Sequence, residues 1–199
     1  MASAADPLGQ SAVRYSRGAM WFHWIIAALI IVNLALGFFH EGFGKPAGAW
    51  MMFFHKSFGI SVLVLSIGRL LWRLGHRPPP FDALMRPWEA LAARITHWLF
   101  YVLMIGIPMT GWLLSSTGDH PISFFGLFIV PPLPATPGRE AGHYWGSIHE
   151  NLGIAMLVLI ALHLGGAIKH YMDGHGRLVG RMAPWLDRHR GVGSNNGML

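Results

Sequence analysis

Cysteine does not occur in this 199-residue chain. Its absence excludes disulfides, thiolate nucleophiles, cysteine-held iron–sulfur clusters and covalent c-type haem attachment. Charge is scarce too: Asp, Glu, Lys and Arg make up 12% of the residues, and only nine of them are acidic. A metal or cofactor would have to be held by histidine, methionine or a very small set of carboxylates. No internal repeat and no second soluble domain is legible.

What is abundant is apolar. Hydrophobic residues make up 53% of the chain and the mean hydropathy is +0.41, well above what a soluble domain of this length needs. A hydrocarbon core of about 30 Å takes roughly 20 mostly apolar residues per helical span. Four stretches qualify, at about 20–39, 51–72, 95–117 and 147–168. They predict one all-α domain over 1–199, an integral membrane four-helix bundle. The apolar stretch Pro121–Leu133 is too short to cross and carries several prolines, so it predicts an interfacial or re-entrant element. Span one follows Arg14 and Arg17 as a secretory signal would, but its apolar run is too long and Gly37-Phe38-Phe39-His40 offers no small-residue cleavage site.

With four spans both termini share a side. Twelve basic residues (Arg14, Arg17, Arg69, Arg73, Arg77, Arg86, Arg94, Lys169, Arg177, Arg181, Arg188 and Arg190) gather at one set of helix ends, and Lys45, Lys56 and Arg139 at the other. The positive-inside rule then places both termini in the cytoplasm. The net charge of +6 is mostly topology, which argues against a nucleic-acid partner. Residues 1–13 and 191–199 read as frayed ends, and Gly75–Arg86, with Pro78-Pro79-Pro80, as a cytoplasmic connector. Tryptophans near the span ends fit an aromatic belt, and Pro108 inside span three predicts a kink.

Of twelve histidines, five lie in or at the edge of the spans: His23, His55, His97, His149 and His163. Ionisable groups are costly there and are functional candidates by default. His149 and His163 are 14 residues apart on one helix, about 21 Å along its axis and within about 40° of one face. Following the chain, His23 shares a level with His163, and His55 with His149. Two imidazoles facing each other across a bundle are what a six-coordinate, low-spin haem iron takes as axial ligands. Small residues one turn on (Ala27, Gly59, Gly153 and Ala167) would open a flat slot. His97 is a rival ligand at the cytoplasmic level and His170 a weaker one. The plain alternatives are interhelical hydrogen bonding, and a zinc or proton path with only Glu150 near as a carboxylate.

These residues resemble the bacterial cytochrome b561 family across nearly the whole chain, with the nearest likeness to members that oxidise superoxide. The matching pieces are Phe22-His23-Trp24, His55-Lys56-Ser57-Phe58-Gly59 and the loop ending Arg77-Pro78-Pro79-Pro80. After them come His97-Trp98-Leu99-Phe100-Tyr101 with Pro108-Met109-Thr110-Gly111, and His149-Glu150-Asn151-Leu152-Gly153. The last are Leu162-His163, His170-Tyr171 and Arg177-Leu178-Val179-Gly180-Arg181-Met182. The resemblance implies two non-covalent haem b groups, one on His23 and His163 and one on His55 and His149. It also implies a bacterial inner membrane location and electron exchange with ubiquinone, with superoxide as donor. In such a protein Lys56 and Arg139 are candidates for an external positive patch that draws superoxide in, and Glu150 for orienting a ligand or carrying a proton. Two other functions suit the same scaffold. One is an electron-transfer subunit for a dehydrogenase or hydrogenase partner protein; the other is a non-enzymatic haem carrier or histidine-lined ion path.

Overall fold

The computed structural model describes residues 15–76, 86–118, 120–173 and 179–184. The Arg77–Pro80 motif, Arg14, Arg177, Arg188, Arg190 and the two chain ends lie outside them. Four α-helices carry the fold: α1 Arg17–Phe39, α2 Gly44–Gly75, α3 Pro87–Ser116 and α4 Arg139–Met172. Three helical stretches are long and apolar enough to cross a membrane, Arg17–Gly75, Pro87–Ser116 and Arg139–Met172, and the first holds both α1 and α2. At 1.5 Å per residue the 32 residues of α2 reach about 48 Å, beyond a hydrocarbon core of about 30 Å. The protein is a multi-pass membrane protein, mostly helical.

Local chemistry explains the helix ends. Ser16 caps α1 by accepting from the Ala19 N–H at 3.3 Å. The chain reverses between α1 and α2 within one 3-10 turn, His40–Phe43. Gly44 takes a φ of 73° there, and a Cβ on Gly48 would stand 2.5 Å from the His40 carbonyl oxygen. Only glycine tolerates that corner. At the opposite end, the Glu89 carboxylate accepts from the Arg86 N–H at 3.2 Å in the first turn of α3. The same carboxylate receives the Lys169 ammonium of α4 at 3.0 Å, and Lys169 also reaches Asp173 at 2.9 Å. The Lys169 hydrogen bond holds the Glu89 carboxyl below its ordinary range, and Asp173 and Glu89 hold Lys169 above its own. Pro108 lies inside α3, which continues past it to Ser116.

The expectation of an all-helical chain needs one correction. Pro121–Leu133 contains a two-stranded antiparallel hairpin, β1 Ile122–Phe124 and β2 Phe128–Val130, with Ile122 opposite Val130 and Phe124 opposite Phe128. Positive φ at Phe125 and Gly126 closes the turn, where the Leu127 N–H donates to the Phe124 carbonyl at 2.9 Å. A segment too short to cross can still satisfy its backbone by pairing with itself, and this one then docks on α2. The fully buried Ser57 hydroxyl lies 3.1 Å from the Ser123 carbonyl and accepts from the Phe125 N–H at 3.0 Å, while Phe58 meets the Phe125 ring at 5.5 Å.

Backbones pack closely between α1 and α2, α2 and α3, and α3 and α4, but not between α4 and either α1 or α2. The bundle therefore has an open seam along α4. Halfway along it the seam is closed by side chains alone: Ile26 of α1 and Met156 of α4, both almost completely buried, join Tyr101, Leu103, Met104 and Leu159.

Candidate metal centre

The seam is where the histidines meet, at two depths. Towards the hairpin end, His55 of α2 faces His149 of α4 with ring centroids 5.9 Å apart and planes at 89°. Towards the basic end, His23 of α1 faces His163 of α4 at 6.4 Å and 70°. A metal–imidazole bond is about 2 Å, so two imidazoles on one axial line have ring centres about 6 Å apart. Both pairs meet that spacing.

The hairpin-end pair is seated the same way on both sides. His55 Nδ1 lies 3.0 Å from the Asn33 carbonyl, and His149 Nδ1 lies 2.9 Å from the Ile107 carbonyl. With a carbonyl as partner, Nδ1 carries the proton and donates, which leaves Nε2 as a free lone pair for a metal. One helical turn past each carbonyl stands a glycine against the same ring. A Cβ on Gly37 would lie 2.8 Å from His55 Cε1, and one on Gly111 would lie 2.9 Å from His149 Cε1. Thr110 Oγ1 adds a contact to His149 Nδ1 at 3.2 Å. Each helical hairpin thus carries one histidine on a seat of carbonyl and glycine, although the sequence shows no repeat. The expected slot residues behave differently: a Cβ on Gly59 or Gly153 would meet its nearest side chain only at 3.7 or 4.0 Å.

The basic-end level gathers more than a pair. His97 of α3 stands 6.0 Å from His163, as near as His23, and Phe100 stands 5.3 Å from it. Ring distance alone does not rank His97 against His23. Backbones of α3 and α4 pack closely, whereas those of α1 and α4 stand apart across the seam. No cluster of three or more His, Asp or Glu side chains placed to hold a metal ion occurs among the described residues.

The other candidates are scattered. The Lys56 ammonium donates to the His120 carbonyl at 3.1 Å, pinning the loop that precedes the hairpin. It makes no ion pair among the described residues. Arg139, at the start of α4, donates from Nε to His143 at 3.4 Å. Glu150 is exposed and turned about 100° around α4 from His149. His170 lies near the end of α4, seven residues past His163. What sequence reasoning missed was the carbonyl seats and the basic-end arginines Arg69 and Arg73. Those arginines lie 5.8 and 5.6 Å from the centre of the Tyr101 ring.

A multi-pass helical membrane protein with histidine pairs facing each other across an open seam is built as a membrane cytochrome. Comparison with known proteins reaches the same class: the profile of the prokaryotic cytochrome b561 family matches residues 14–185. The chain is 33% identical over 164 residues to cytochrome b561 homolog 2 of Escherichia coli K12, covering 79% of this chain and 85% of that one. It is 26% identical over 173 residues to cytochrome b561 homolog 1 of the same organism, covering 86% and 97%. It is 28% identical over 175 residues to the probable superoxide oxidase CybB of Yersinia pestis, covering 86% and 96%. The chain belongs to the prokaryotic cytochrome b561 family, whose members are membrane electron-transfer proteins that bind haem b.

Proposed function

We propose that this chain spans the bacterial inner membrane four times with both termini cytoplasmic, binds two haem b groups, and oxidises superoxide while reducing ubiquinone. His23 and His163 would hold one haem, and His55 and His149 the other. The observation that carries the reading is that both pairs bridge the seam along α4, where its backbone stands apart from α1 and α2, with ring spacings of 6.4 and 5.9 Å. When bound, haem b supplies a one-electron iron couple.

The residues do the rest. Two imidazoles at each level would hold the iron between them and would leave it no open position for a small molecule. The carbonyls of Asn33 and Ile107 fix the tautomer and orientation of His55 and His149. Lys56, held at the edge of the docked loop, and Arg139 attract an anionic donor at the external face. Glu150, exposed and next in sequence to His149, is the candidate to carry protons there. The balanced reaction takes two superoxide anions, one quinone and two protons to two dioxygen and one quinol.

The test is haem stoichiometry on the detergent-purified chain, with difference spectra after a superoxide source and then a quinone. The expected result is two b haems per chain, reduced by superoxide and reoxidised by quinone. Two haems indifferent to superoxide would make the chain an electron-transfer subunit for a redox partner protein. Absence of haem would overturn the reading.

A further inference from the structure

The basic-end level carries two guanidinium groups beside its histidines. Arg69 stands 14 residues after His55 on α2, the same interval that separates His163 from His149 on α4. Both helices run from the hairpin end to the basic end, so Arg69 occupies on α2 the depth and face that His163 occupies on α4. It is half-buried and is the charged neighbour of His23, His97 and His163; Arg73, one turn further out and exposed, is a charged neighbour of His97. Both guanidinium groups lie against the buried Tyr101 ring, at 5.8 and 5.6 Å. Neither makes an ion pair among the described residues, and the nearby carboxylate Glu89 is occupied by Lys169. On the same face of α2, three residues before Arg69, the fully buried Ser66 hydroxyl has no hydrogen-bond partner among the described residues.

Two guanidinium groups fixed on one aromatic surface inside a membrane protein call for an anion, because a cation in that setting is retained only with a partner. Guanidinium groups match carboxylates in geometry, and a serine hydroxyl can donate to the same oxygens. We infer that Arg69 and Arg73, with Ser66, form a carboxylate-binding site that holds the two propionates of the haem at the His23–His163 level. The inference rests on the proposed haem at that level. It assigns α2, which contributes no ligand there, the role of setting the rotation of the macrocycle about its axial line. It also keeps positive charge beside that haem, which disfavours the more positive oxidised iron and raises the midpoint potential.

The experiment uses the full chain in detergent. Haem transfer to excess apomyoglobin is followed for the wild type, Arg69→Gln/Arg73→Gln and Arg69→Lys/Arg73→Lys, with redox titration of each. The expected result is about tenfold faster release of one haem in the glutamine variant, a lowered potential for that haem alone, and substantial recovery in the lysine variant. In parallel, wild-type apoprotein is reconstituted with protohaem and with its dimethyl ester, which removes the carboxylates without altering the protein. Preference for the free acid at one of two sites is expected. If the wild type holds two haems but release, potential and ester preference are all unchanged, the carboxylate site is wrong and the ligand assignment stands. If the variants lose bound anionic phospholipid and keep both haems normally, the anion is a lipid headgroup and the inference is overturned. If the wild type holds no haem at this level, the underlying reading fails first.

Discussion

A single methyl group at Gly111 is the most direct challenge to the proposed ligation. An added Cβ would stand 2.9 Å from Cε1 and 3.1 Å from Nδ1 of His149, whereas relaxed carbon contacts begin near 3.5 Å. The ring must therefore retreat by about 0.6 Å, and it is tethered by the 2.9 Å contact of Nδ1 with the Ile107 carbonyl. Overpacking of this kind costs about 1–3 kcal/mol, or roughly 5- to 150-fold in affinity at 1.4 kcal/mol per tenfold. Helix propensity runs the other way, since alanine favours a helix by about 1 kcal/mol over glycine. Gly111→Ala should thus keep the fold and the basic-end haem while losing most of the other. Gly37→Ala, with its Cβ 2.8 Å from His55 Cε1, should do the same, and the double variant should add little because both act on one haem. Gly146→Ala, whose Cβ would meet Leu114 at an ordinary 3.8 Å, is the control. The assay is haem per chain by pyridine haemochrome with helicity by circular dichroism. Two full haems in both seat variants would refute the argument from the seat.

On the proposed pairing His97→Ala should retain two haems whereas His23→Ala should lose one, because α1, unlike α3, stands apart from α4 across the seam; haem loss in His97→Ala alone would overturn that pairing. Glu89→Gln should lower the melting temperature slightly at neutral pH. The Glu89 carboxyl is held down and the Lys169 ammonium held up, so their clamp is intact between the ordinary values of 4.5 and 10.5. It weakens as pH falls through the lowered Glu89 value or rises through the raised Lys169 value. The two melting curves should therefore converge at acid pH, and a constant difference would show that charge is not involved. Lys56→Gln retains a donor for the His120 carbonyl but removes the charge; superoxide-driven haem reduction should slow and lose much of its ionic-strength dependence, and unchanged kinetics would rule out steering.

Much of this fold was legible because a bilayer imposes a coarse rule that long apolar runs satisfy. The approximate helices and the pairing of His23 with His163 and His55 with His149 follow from hydropathy, chain direction and helical rise. The hairpin did not, since Ile122–Val130 lacks polar alternation and its turn places Phe125, a non-glycine residue, at positive φ. Its hold on α2 runs through Ser57, a small residue with no distinctive signal. The seats at Asn33 and Ile107 are invisible for a deeper reason: a backbone carbonyl accepts a hydrogen bond whatever side chain it carries. The sequence puts small residues one turn from the candidate histidines on their own helices, whereas the close approaches fall on Gly37 and Gly111 of the neighbouring ones. Arg69 and Arg73 read as topology alone, because a basic residue near a helix end serves that purpose equally well.

Helix α4 also acts as a ruler. It carries His149 and His163 on one continuous stretch of backbone, with Met156 midway between them on nearly the same face. The separation of the two levels is set by fourteen residues of hydrogen-bonded helix, about 21 Å of rise, and not by how tightly the other helices close around it. With haems at both levels, as proposed, the gap an electron crosses between them would be fixed in the covalent chain of one helix.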